Sequence, residues 1–177
     1  MASAGTPIKL ANGRHAQLVA VVSTPEGSGN QTYGYAEATF TPAASSHTAG
    51  DCNGAAQEFA LGAPSGCLFM ITDADLYIDG GTAEATAWRL HMYNVTPPSA
   101  LADDAAWDVP SGDRTAYIGF IDIGTAVDLG STQGIQNSGV NRAVKLSGTS
   151  IFGYLVNLTT LTPAAVAHRV RLKGIPL

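Results

Sequence analysis

Alternation at period two constrains this chain more than any other feature. Across residues 84–94, Trp88, Leu90 and Met92 fall on one parity and Arg89, His91 and Tyr93 on the other. Side chains that change sides at every residue make a strand with one face buried, whereas an amphipathic helix repeats every 3.6 residues. The pattern recurs at 140–146, where Val140, Arg142, Val144 and Leu146 oppose Asn141, Ala143 and Lys145. It recurs again at 166–172, where Val166, His168, Val170 and Leu172 oppose Ala167, Arg169 and Arg171.

Other segments read as strands from short apolar runs rich in β-branched and aromatic residues. These are 17–22, 33–40, 67–78, 117–123 and 152–156. Pro25-Glu26-Gly27, Asp79-Gly80-Gly81, Pro97-Pro98 and Pro110-Ser111-Gly112 punctuate them. Residues 41–66 read as a long loop with one short strand near Gln57 to Ala60, and Val127-Asp128-Leu129-Gly130 leads into a polar loop. The only helical signal is a single turn at Ala100 to Asp104.

About eight strands with Gly and Pro between them point to an all-β, two-sheet antiparallel sandwich, jelly-roll-like in class. Composition agrees: 20 glycines and only 13% charged residues suit tight turns and half-buried strands rather than helices. At 177 residues the chain reads as a single sandwich domain, residues 13–177, behind an extended N-terminal arm, residues 1–12. The expected core is Val19, Val21, Phe69, Ile71, Trp88, Leu90, Ile118, Phe120, Val144, Leu146, Leu155 and Val170. Pro7, Ile8 and Leu10 give the arm apolar contact residues with which it would lie on a neighbour as an added strand.

Charge and motifs narrow the function classes. A net charge of −5 with nine Lys and Arg leaves no basic stripe for nucleic acid, and Arg169, Arg171 and Lys173 read as one face of a strand. No apolar run reaches membrane-spanning length. The first residues lack the basic start and apolar block of a secretory signal, so synthesis in the cytoplasm is expected. Cys52 and Cys67 read as free thiols in that compartment. A bridge between them, closing over 14 intervening residues, would add about 3 kcal/mol, and both states stay open.

Candidate chemistry is sparse. Asp103, Asp104, Asp108 and Asp113 share a loop with Trp107 and read as a solvated turn with Asx-type hydrogen bonds, not the acid/base pair of a glycosidase. Asp73, Asp75 and Asp79 have apolar Leu76, Tyr77 and Ile78 between them, unlike a calcium loop. His15, His47, His91 and His168 show no metal-ligand spacing, and His91 and His168 fit packed or rim positions in strands. The expectation is a non-enzymatic protein without catalytic, cofactor-binding or metal residues.

The C-terminal half resembles small phage proteins that coat major capsid proteins. The matching patterns are Ser111-Gly112-Asp113-Arg114-Thr115-Ala116-Tyr117-Ile118-Gly119, then Val127-Asp128-Leu129-Gly130-Ser131. They continue as Val144-Lys145-Leu146-Ser147-Gly148-Thr149-Ser150-Ile151-Phe152-Gly153-Tyr154-Leu155-Val156 and a basic final strand after Thr159-Thr160-Leu161-Thr162-Pro163. The resemblance implies a bacteriophage capsid decoration, or cement, protein with a jelly-roll-like domain. It would sit on the outer virion surface, bridging major capsid protein subunits and self-associating, commonly as a trimer. The alternative is a carbohydrate-binding or receptor-binding virion domain. Trp107, Tyr93 and Tyr117 would then be sugar platforms, with Trp88 assigned to the core.

Overall fold

The computed structural model describes residues 34–82 and 84–177. The expected arm with Pro7, Ile8 and Leu10, and the apolar run 17–22 with Val19 and Val21, lie outside the described residues. Those described form nine strands and no helix. The strands are β1 (Gly34–Phe40), β2 (Gln57–Ala60), β3 (Leu68–Ile78), β4 (Ala87–Tyr93) and β5 (Tyr117–Thr125). They continue as β6 (Val127–Asp128), β7 (Gln133–Lys145), β8 (Ser150–Asn157) and β9 (His168–Pro176).

They form two antiparallel sheets, ordered β1-β9-β3-β7-β6 and β2-β8-β4-β5. Leaving aside the two-residue β6, the pairing is nested. β1 pairs with β9, β2 with β8, β3 with β7, and β4 with β5. Successive pairs alternate between the sheets. This is the connectivity of a jelly roll: one long antiparallel hairpin rolled so that each apolar face finds a partner.

The inner faces carry the core. Ala36, Ala38, Phe40, Phe69, Ile71, Leu76, Ile78, Val170 and Leu172 come from one sheet. Phe59, Trp88, Leu90, Met92, Ile121, Ile123, Ile151 and Leu155 come from the other. The alternation read at 84–94 and 166–172 therefore marks true inward parity. Arg169, Arg171 and Lys173 stand on the outer face of β9 and pair with Asp79, Glu37 and Asp75. Of the three carboxylates weighed against a calcium loop, Asp79 and the buried Asp75 are thus ion-pair partners of β9, and Asp73 accepts from the Thr72 hydroxyl (2.6 Å).

Four expectations are corrected. Phe120 is 40% exposed and Ile118 only half-buried, while Ile121 and Ile123 fill the core. The β4–β5 register shifts between Met92 and Tyr93, and Gly119 takes φ +101°. Such an irregularity turns the next side chain to the other face, so parity before it does not continue beyond it. A Cβ on Gly119 would also run into the Arg142 guanidinium, which donates to the Ile118 carbonyl (2.7 Å). Second, β7 begins at Gln133 rather than Val140. Its polar first half is a strand because it pairs with β3, and its outward side chains stay wet. Third, Val127–Asp128, expected only to lead into a polar loop, forms the short strand β6 paired with β7. Fourth, in place of the expected helical turn near Ala100 there is a single turn closed by the Ala105 amide on the Ala102 carbonyl (3.3 Å), in which Asp104 adopts φ 64°, a left-handed value that stops a helix.

Candidate functional site

Much of the outer face of the four-stranded sheet, around β4 and β8, is covered. Tyr93, Tyr117, Phe152, Tyr154 and Val156 project from it, and two long loops fold over them with Cys52, Ala56, Leu101, Trp107 and Ala116. The result is a second, smaller core. Loop residues extend the sheet by short bridges, Cys52 against Val156 and Asp51 against Ala106. A segment with so few strand signals is ordered because its backbone groups are paired in this way. The Leu101 amide donates to the Tyr154 hydroxyl (2.9 Å), and the Trp107 amide to the Gly50 carbonyl (2.9 Å).

Trp107 stacks flat on His91, with ring centroids 3.4 Å apart, and the His91 Nδ1 lies 3.0 Å from the Tyr117 hydroxyl. Burial, with the nearby Arg89 charge, lowers the His91 pKa to about 3, so the imidazole is neutral. Burial also pushes the Cys52 thiol up to about 12, which removes its thiolate reactivity. Cys52 and Cys67 are both free thiols.

The loop carboxylates divide. Asp104 and Asp108 are exposed, as a solvated turn requires. Asp103 and Asp113 are instead structural acceptors, which corrects that reading. Asp113 is buried and accepts from the amide and hydroxyl of Ser99 (3.1 and 3.0 Å). Asp103 accepts from the amides of Ala43 (2.8 Å) and Gly54 (2.6 Å) and contacts His47 Nε2 (3.2 Å), tying the two covering loops together. Burial works against the Asp103 carboxylate, but these donors outweigh it and hold its pKa below the ordinary value.

The sugar-platform candidates also separate. Trp88 lies in the main core, as expected, and Tyr93 is buried in the second one. Trp107 and Tyr117 are half-buried in the His91 stack. His91 and His168 are both packed, at 4% and 0% exposure. Among the described residues, no three His, Cys, Asp or Glu side chains converge as metal ligands.

Three of the seven large apolar side chains exposed among the described residues lie on or just after β5 and β6, and the others are Tyr35, Leu68, Val95 and Leu177. Val127 is 59%, Leu129 61% and Phe120 40% exposed. Val127 and Leu129 line a shallow groove of about 410 Å³ with Tyr77, Gly134 and Ile135. Phe120 borders a second, more polar groove of about 610 Å³ with Asn137, Val140 and Arg142. Sequence reasoning passed over the first groove. Its one signal was a pair of apolar residues, Val127 and Leu129, in an otherwise polar stretch.

Together these features define a jelly-roll β-sandwich with a largely loop-covered outer sheet and an apolar groove. The chain matches no protein-family model and no curated protein.

Proposed function

We propose that this chain is a non-enzymatic structural protein of a phage virion that decorates the capsid and stabilises it by bridging major capsid protein subunits. The observation that carries the reading is the apolar groove in which Val127 and Leu129, 59% and 61% exposed, stand with Tyr77 and Ile135. Clustered exposed apolar groups mark protein contact surfaces. The jelly-roll connectivity and the capsid-protein resemblance between Trp107 and Leu177 support it further. The buried Asp113, Glu84 and His168 and the half-buried Asp103 are engaged in holding loops.

A protein that binds the assembled lattice but not the free subunit stabilises the lattice by linkage, and several engaged copies multiply a modest contact. Self-association, including a trimer, belongs to this reading, as does a contact from the arm through Pro7, Ile8 and Leu10. The test is co-sedimentation with expanded capsids that lack the protein. Wild-type chain is expected to bind and to raise the temperature at which capsids rupture. Leu129→Asp with Val127→Asp, and separately deletion of residues 1–12, are expected to weaken recruitment while the domain stays folded. A folded chain that never co-sediments but binds glycans supports the receptor-binding alternative instead.

A further inference from the structure

One end of the sandwich is closed by two buried histidines in the same arrangement. His47 has no exposed surface. Its Nδ1 lies 3.1 Å from the Ser45 carbonyl and its Nε2 3.2 Å from an Asp103 carboxylate oxygen. His168, also without exposed surface, repeats this. Its Nδ1 is 3.0 Å from the Val166 carbonyl and its Nε2 3.1 Å from Glu84. In both cases the carbonyl is two residues upstream and the carboxylate comes from a distant segment.

Carbonyl and carboxylate oxygens only accept, and a neutral imidazole has one N–H. At His47 both contacts are satisfied only by the imidazolium, because Asp103 already accepts two backbone amides as a carboxylate. Loss of one imidazolium proton leaves a ring lone pair facing an oxygen inside the protein, an unfavourable contact.

The two sites grip the same segment, residues 158–167. The backbone of His47 pairs with Leu161 in both directions (2.8 and 3.0 Å). The Ala164 amide donates to Glu84 (2.9 Å). Thr159 binds the Thr86 hydroxyl and Ala85 carbonyl between them. We propose that His47 is a proton-loaded clasp that holds this end of the jelly roll closed, beside the fixed His168–Glu84 contact, and loosens it when the proton is lost.

The surrounding charges are consistent with loading. His47 faces Asp103 and Asp104, the latter 3.9 Å from Nδ1. Asp51, on its own loop, is engaged by the Thr48 amide and hydroxyl. Leu161 brings a backbone pairing to it. His168 meets Glu84, with Phe40, Ile78 and Trp88 as apolar neighbours. The adjacent Arg169 turns outward to Asp79 and Glu37.

Burial pulls the His47 pKa down, but the Ser45 carbonyl and Asp103 outweigh it and leave it raised. A raised folded-state value makes the contribution complete below the unfolded pKa of 6.5, and it is lost as pH rises through the folded value. Asp103, held low, sets the opposite limit: its contribution is lost as pH falls through its folded value.

The experiment is histidine-resolved NMR on the full chain, with amide-exchange protection followed from about pH 5.5 to about pH 9. At pH 6.5 His47 is expected to carry protons on both ring nitrogens. As it titrates, protection of residues 43–54 and 158–167 falls by about tenfold or more, while the central strands β3 and β4 hold theirs. His47→Gln lowers protection of those segments and removes its pH dependence. Asp103→Asn, which keeps the shape but not the charge, moves the His47 titration to lower pH, and serves if the Gln variant fails to fold. A neutral His47 imidazole at pH 6.5, protection unchanged through the titration, or wild-type pH dependence in His47→Gln would each overturn the proposal.

Discussion

At the scale of single residues, two positions tie backbone and charge to stability. Gly174 faces inward on β9, where an added Cβ would lie 2.1 Å from the Met70 carbonyl oxygen and 2.5 Å from Phe69. A backbone atom cannot swing aside as a side-chain tip can. Gly174→Ala is therefore expected to cost on the order of 1–3 kcal/mol, read by urea denaturation. His91 is the second. Its folded-state pKa is depressed to about 3, so between about pH 6.5 and 3 the unfolded chain binds a proton that the folded chain refuses. Stability then falls by up to about 1.4 kcal/mol per pH unit over that window from this group alone. His91→Phe keeps a ring against Trp107 and is expected to flatten that acid limb in unfolding curves collected at several pH values. An unchanged acid limb would show that His91 is not its source. The sign is opposite to that of His47, although both imidazoles are buried, because His47 faces carboxylates and His91 faces Arg89 and aromatic rings.

At the scale of elements, β5 shows how local pattern misleads. Ile118 and Phe120 share a parity with bulky apolar neighbours, and nothing in the sequence apart from Gly119 announces the change of face. Substitution separates the two registers. Ile121→Ala is expected to cost about 2–5 kcal/mol, whereas Phe120→Ala, which loses a half-open ring under Arg89, is expected to cost about 1 kcal/mol or less. Equal costs would return Phe120 to the core. The β6–β7 edge makes the complementary point. Leu129→Asp, at a position 61% exposed, is expected to leave the melting temperature within a few degrees of wild type while reducing capsid recruitment. A collapse in stability would instead make that flank part of the fold.

At the scale of the whole molecule, the jelly roll carries two cores, one between the sheets and one under the loops. By itself the sequence determined the strand class and most inward faces. Alternation at 84–94 and 166–172 is a local consequence of one buried face, so Trp88, Leu90 and Val170 were legible. The short strand near Gln57 was legible too, from its place in a Gly- and Pro-rich stretch. The nested pairing of β1 with β9 and β2 with β8 was not, because a strand's own pattern does not say which distant strand completes its hydrogen bonds. The second core was equally hidden. Cys52, Leu101 and Trp107 have no periodicity, and the first is buried and the other two half-buried because the loops that carry them are tied down by Asp103, Asp113 and the Tyr154 hydroxyl. His47 gave no sign of importance as one histidine in a polar loop. Only the tertiary structure brought it between Ser45 and Asp103, since hydrogen bonding across 56 residues depends on where the chain returns and not on what surrounds the residue in sequence.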